Sequence, residues 1–206
     1  MASLLNMSGG SLLEKGLPYD YEVEYLESTG TQWIEIPIIT LQTDLECKAA
    51  PVRLNDPNAY VIGQVGTANG RYQLSLSRPS GNAIFYGYGD NNSYTTIENV
   101  ASTDFRIYKI VNGQLFIDNT AYNSYIWKSD PTVPKCTLFG LYQTWNKTMA
   151  AYSVKIAYLR LIQNNIPIYD FVSVVKDGVG CFYDKVSETF FYNAGTGNFI
   201  VGPRVS

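Results

Sequence analysis

The sequence predicts an all-β protein built as a two-sheet antiparallel sandwich, and three observations carry that reading. From residue 19 onward, short segments of alternating apolar and polar residues recur, separated by turn-forming residues. No long amphipathic helical stretch interrupts them. Charged residues make up only 16% of the chain, against roughly 25% in ordinary domains. Polar duties therefore fall to Ser, Thr, Asn, Gln and 17 tyrosines, and tyrosine suits a half-buried pleated surface. At 206 residues the chain is long enough for one sizeable β domain.

Taken in order, residues 1–18 differ from the rest. Leu4-Leu5, Ser8-Gly9-Gly10 and Leu12-Leu13 form a short apolar, glycine-hinged arm that ends at Pro18. Two separated leucine pairs suit a segment that orders against a partner, and a frayed tail is the plainer alternative. The sandwich domain is expected over residues 19–206. Strands are expected at 33–38, 45–50, 60–65, 72–76 and 83–88. Asp56-Pro57, Ala68-Asn69-Gly70, Arg78-Pro79-Ser80-Gly81 and Asp90-Asn91-Asn92 are the intervening turn signals.

The clearest element is a hairpin over 105–118. Asn112-Gly113 is the preferred two-residue type I′ turn, so Val111 pairs with Gln114 and Ile110 with Leu115. Tyr108, Ile110, Leu115 and Ile117 then share one buried face. A strand is expected at 136–141. The alternation over 152–162 puts Tyr152, Val154, Ile156 and Tyr158 on one face, with Ser153, Lys155 and Ala157 on the other. Strands at 166–172 and 190–192 complete the set.

Composition excludes several function classes. The chain has no histidine, which removes the commonest general base, the commonest metal ligand and every Ser-His or Cys-His arrangement. Cys47, Cys136 and Cys181 are widely spaced and odd in number, which suits reduced core residues rather than a disulfide framework or metal site. Net charge is −3 and no basic run is present, so nucleic acid is not an expected partner. The first ten residues lack a basic start and a long apolar core, so no signal peptide is read there. No run approaches the roughly 20 apolar residues of a membrane span. The Asn-x-Ser/Thr triplets at Asn6, Asn91 and Asn146 are taken as chance in an Asn-rich chain.

Two blocks carry a family resemblance. One is Glu24-Tyr25-Leu26-Glu27-Ser28-Thr29-Gly30-Thr31-Gln32-Trp33-Ile34. The other alternates short aromatic strands with glycine turns: Tyr169-Asp170-Phe171-Val172, Asp177-Gly178-Val179-Gly180-Cys181-Phe182-Tyr183-Asp184, then Phe190-Phe191-Tyr192-Asn193-Ala194-Gly195-Thr196-Gly197-Asn198-Phe199-Ile200 and Gly202-Pro203. These resemble the opening and closing signatures of concanavalin-A/laminin-G-like jelly-roll domains, which recur in bacteriophage virion proteins and in surface proteins of gut bacteria. The blocks bracket residues 19–203. The resemblance implies a jelly-roll framework, and it brings no catalytic motif with it.

The chain offers four candidate sites. Glu22-Val23-Glu24-Tyr25-Leu26-Glu27 is similar to the Glu-x-Asp-x-x-Glu strand of jelly-roll glucanases, and Glu22 and Glu24 would share a strand face. The central residue is Glu24 rather than Asp, and the stretch runs directly into the framework block, so no catalytic residue is expected. The Asp90-Asn91-Asn92 turn offers oxygens of the kind calcium takes, but with one carboxylate it is equally ordinary turn chemistry. The expectation is no cofactor and no metal. Tyr86, Tyr88 and Trp145 are the candidate ligand-binding aromatics, against a plainer reading as packing residues, while Trp33 and Trp127 are assigned to the sandwich. Leu4, Leu5, Leu12 and Leu13 are the candidate partner-docking residues.

The expected function is a non-enzymatic structural or adhesive protein of a bacteriophage virion, in a capsid-decoration, head-fibre or tail-accessory role. Its expected partners are other virion proteins and a cell-surface glycan, with no membrane, in a larger assembly made in the host cytoplasm. The alternative is a carbohydrate-binding module of a bacterial surface protein, and a glycoside hydrolase using Glu22 and Glu27 is the remaining one.

Overall fold

In the computed structural model, which describes residues 16–40, 42–55, 59–66, 70–78, 82–89, 94–125, 133–144, 148–151 and 153–206, every regular element is a β-strand. The first eight are β1 (Tyr21–Glu22), β2 (Leu26–Glu27), β3 (Ile34–Ile36), β4 (Asp44–Pro51), β5 (Tyr60–Val65), β6 (Arg71–Ser75), β7 (Ala83–Gly89) and β8 (Tyr94–Glu98). Then come β9 (Arg106–Val111), β10 (Gln114–Ile117), β11 (Thr120–Ser124), β12 (Cys136–Leu138), β13 (Gly140–Gln143) and β14 (Thr148–Ala151). The last are β15 (Val154–Gln163), β16 (Ile166–Lys176), β17 (Val179–Asp184), β18 (Thr189–Phe191) and β19 (Ile200–Val201).

They form two sheets. The larger runs β11-β10-β9-β4-β15-β16-β17-β18, with β1 added to β16, and with β2 joining β15 to β19. The smaller runs β14-β13-β5-β6-β7-β8, with β12 between β3 and β5. Among the described residues the strand pairs are antiparallel except β5 with β13. The chain is thus an all-β two-sheet sandwich.

The core lies between the sheets. Leu45 and Cys47 of β4, Tyr108 and Ile110 of β9, and Leu159 and Leu161 of β15 are buried in one cluster with Ile62, Tyr72, Leu74 and Ile84 of the smaller sheet. Phe139 stacks on Phe182 at 5.5 Å and packs against Phe199 at 4.7 Å, joining the smaller sheet to the C-terminal block. Offset aromatic pairs of this kind add to the burial term. All three cysteines are free and buried.

The 105–118 hairpin forms as its turn chemistry requires. Asn112 and Gly113 have φ of 48° and 76°, and the pairs Val111–Gln114 and Ile110–Leu115 are in register. A Cβ at Gly113 would come within 1.9 Å of the Tyr125 carbonyl oxygen, so this turn needs glycine for space as well as conformation.

Two expectations need correction. The strand expected at 136–141 is two strands, because Phe139 takes a φ of 61° and reverses the chain. Its ring fills the core, and its N–H donates to the Val61 carbonyl at 2.9 Å. The alternation over 152–162 also breaks. A β-bulge between Ile156 and Tyr158 shifts the phase, so Leu159 and Leu161 point inward and Tyr158 outward. Tyr152 lies outside the described residues.

The bulge lies where two long strands separate. β15 and β16 pair from Tyr158–Val172 to Gln163–Ile166. On the other side of Tyr158 they part, and the N-terminal segment wedges between them. Glu22 pairs with Val174 on β16, while Leu26 pairs with Ile156 on β15. The Ser173 hydroxyl, buried at the fork, reaches the carbonyls of Ile156 and Ala157 at 2.9 and 3.0 Å, and so holds the bulge.

Candidate functional site

At the fork, on the outer side of the larger sheet, a depression of about 470 Å³ opens. Ser173 and Tyr158 lie where the strands part; Glu22 and Glu24 come from the wedged segment, Lys48 from β4 and Phe105 from the start of the hairpin. Because Lys48 alternates with the core residues Cys47 and Ala49, its side chain is on the solvent side of the sheet. The Lys48 ammonium sits 5.8 Å from the centre of the Phe105 ring, and Phe105 packs on Tyr25 at 5.4 Å. Lys155 covers the Tyr25 ring at 5.2 Å. The result is an aromatic ledge bordered by cations.

The carboxylates have different settings. Glu22 accepts a hydrogen bond from the Tyr19 hydroxyl, and burial followed by the Glu22 contact pushes the Tyr19 phenol well above its ordinary value. Glu24 is exposed. Glu27 lies outside the depression, on β2, within 3.7 Å of Lys155. The Tyr158 hydroxyl donates to Glu46 at 3.3 Å, and burial followed by the Glu46 charge raises its pKa to about 12. Acceptors, an ammonium, a phenol and a flat ring around a shallow hollow suit the holding of a polyhydroxylated ligand.

Sequence reasoning singled out Glu22 and Glu24, and the structure brings both to the depression. It missed Lys48, Phe105, Tyr158 and Ser173. Ser173 carried a signal, since it is a lone hydroxyl in the apolar run from Phe171 to Val175. Tyr86 and Tyr88 need correction as ligand-binding residues: they are 0% and 1% exposed and belong to the core. The Tyr86 hydroxyl donates to the Gly113 carbonyl, which satisfies its polar end internally. Leu4, Leu5, Leu12, Leu13, Trp127, Trp145 and the Asp90-Asn91-Asn92 turn lie outside the described residues. Among the described residues no group of three or more acidic or cysteine side chains is placed to hold a metal ion.

The two blocks that carry the family resemblance meet in one seam. Gln32 accepts from the Thr29 N–H at 2.8 Å and donates to the Thr196 carbonyl at 3.2 Å. The Asn193 carboxamide oxygen accepts from the Trp33 and Gly195 N–H groups at 3.1 and 2.8 Å. Backbone bonds run from Ala194 N–H to Trp33 and from Thr196 N–H to Thr31. Trp33 is half-buried and lies directly over Gly195, where a Cβ would come within 2.6 Å of the indole. A scan against protein-family models matches none, and a search among curated proteins returns no relative.

Proposed function

We propose that the chain is a concanavalin-A/laminin-G-like jelly-roll domain that acts by binding rather than by catalysis, as a structural or adhesive component of a bacteriophage particle. The observation that carries this reading is the seam. Thr31, Gln32 and Trp33 of the first block hydrogen-bond to Asn193, Ala194 and Thr196 of the last, so the shared occurrence of the two blocks has a structural cause. An apolar arm ahead of the sandwich supplies a docking element, and the sandwich presents its faces outward. Immunogold labelling with an antibody to the purified domain tests the reading on particles and cells from the source culture. Labelled particles support it, and label confined to the cell envelope overturns it.

The depression favours a second reading, a carbohydrate-binding module of a bacterial surface protein. Phe105, Lys48 and Glu24 there combine a flat ring with donors and acceptors, the combination that holds sugars. Envelope labelling together with glycan binding would be its signature.

A further inference from the structure

A second cluster lies on the smaller sheet, on the face turned away from the core. Arg71 of β6 stacks on the Tyr94 ring with its guanidinium carbon 4.6 Å from the centroid, and stands 5.8 Å from Phe85. Arg78 stacks on Phe85 at 4.4 Å. Phe85 and Tyr94 are themselves 5.4 Å apart, so two guanidinium groups share one aromatic rack.

Neither cation has a carboxylate within ion-pair distance among the described residues. Other arginines of the chain do: Arg106 pairs with Asp118 at 2.6 Å, and Arg160 with Asp170 at 3.3 Å. Arg71 Nε is sealed from solvent and has no hydrogen-bond partner among the described residues. Gln73, two residues along the same face of β6 and 1% exposed, likewise has no partner for its Oε1 among the described residues. Burial lowers the Arg71 pKa; the Tyr60 and Tyr94 phenols oppose this, and the nearby Arg78 charge adds to it. Two like charges held together, with buried polar atoms unsatisfied, are costly unless something else repays them.

Gly87 makes the arrangement sterically feasible. It faces Gln73 across β6 and β7, and a Cβ there would come within 2.4 Å of Arg71 Cδ. The arginine stem therefore lies flat on the bare strand, which fixes where its head group goes.

We infer that Arg71 and Arg78, racked on Phe85 and Tyr94, form a binding site for the carboxylate of an acidic saccharide. Guanidinium forks take planar carboxylates bidentately, and Tyr94, 48% exposed, offers ring surface for the carbon face of a sugar. The inference rests on the adhesive reading above and deepens it by naming a ligand class. It is distinct from the depression on the larger sheet.

The test is NMR titration of the full chain, following the Nε–Hε resonances of Arg71 and Arg78, at constant ionic strength. The probes are D-glucuronate, methyl β-D-glucopyranoside and inorganic sulfate. Glucuronate should shift both resonances saturably, and the neutral glucoside should not. Arg78→Gln and Gly87→Ala should each weaken glucuronate binding by about tenfold or more, the second by displacing Arg71 without removing a charge. Glucuronate binding unchanged in both variants, or no binding at all, overturns the site. Sulfate binding as tightly as glucuronate overturns the saccharide assignment. Particle labelling reads out the adhesive role separately, so the two failures are distinguishable.

Discussion

Gln32 and Thr196 stand 164 positions apart, yet the Gln32 carboxamide donates to the Thr196 carbonyl while its oxygen collects the Thr29 N–H. One buried side chain thereby ties the first framework loop to the last. Gln32→Ala removes both bonds, and because Thr29 and Thr196 are exposed and can turn to water, it should lower stability by about 1 kcal/mol. Gly195→Ala should cost about 1–3 kcal/mol, because a Cβ there meets the Thr31 carbonyl oxygen. Urea unfolding measures both; unchanged midpoints would mean that the seam is incidental to stability.

Ser173 holds the bulge that turns Tyr158 outward. Ser173→Ala should cost about 1–3 kcal/mol, and Ser173→Val more, since the extra methyl group enters a packed fork. The same variants should alter the Tyr158 environment, read from tyrosine ring resonances. Loss of stability with no change at Tyr158 would separate the serine from the bulge.

Stability should fall in alkali. Burial raises the Cys181 thiol pKa to about 12 and pushes Cys47 and Cys136 higher, while Tyr88 is raised to about 12. Above about pH 8.5 the unfolded chain has released thiol protons that the folded chain still holds. The unfolded state then binds fewer protons, so each such thiol lowers stability by about 1.4 kcal/mol per pH unit. With no histidine, little should change between about pH 6 and 8. Thermal melts across pH 6–10 check the profile, and Ellman's reagent at pH 8 should find the three thiols only after unfolding.

A chain beginning at Tyr19 should fold with a nearly unchanged melting temperature and fail to enter particles. Tyr19 itself must stay, because its ring packs against Tyr183 at 5.4 Å and it belongs to a small outer-face cluster with Val174 and Cys181. Leu17 just ahead of it is 67% exposed. Unfolding on truncation would make the arm part of the core, and unimpaired incorporation would move the docking surface onto the sandwich.

The hairpin, the inward faces of β9 and β10 and the free core cysteines were legible in the sequence because local chemistry decides them. Asn112-Gly113 sets its own turn, and period-two alternation then sets the faces. Polar strands were not legible: β8 and β11 carry few apolar residues, and their positions come from pairing with β7 and β10. Phe139 and Tyr158 were misread because a left-handed residue and a bulge each shift the phase of a strand without altering its composition. Tyr86 and Tyr88 looked like surface aromatics because the run from Phe85 to Gly89 places aromatics on both faces of its strand, and the strand turned out to be buried on both. The site at the fork needed the wedge of β1 and β2 between β15 and β16, a long-range arrangement that only the folded chain displays.

The central claim is that this domain holds its ligand and does not cut it. The most direct measurement incubates the full chain on a glycan array and detects both the retained protein and the released sugars by mass spectrometry. A binding domain should release no sugar from any glycan, including those that retain the protein. Turnover that disappears in Glu22→Gln would contradict the claim and make the wedge carboxylates an active site.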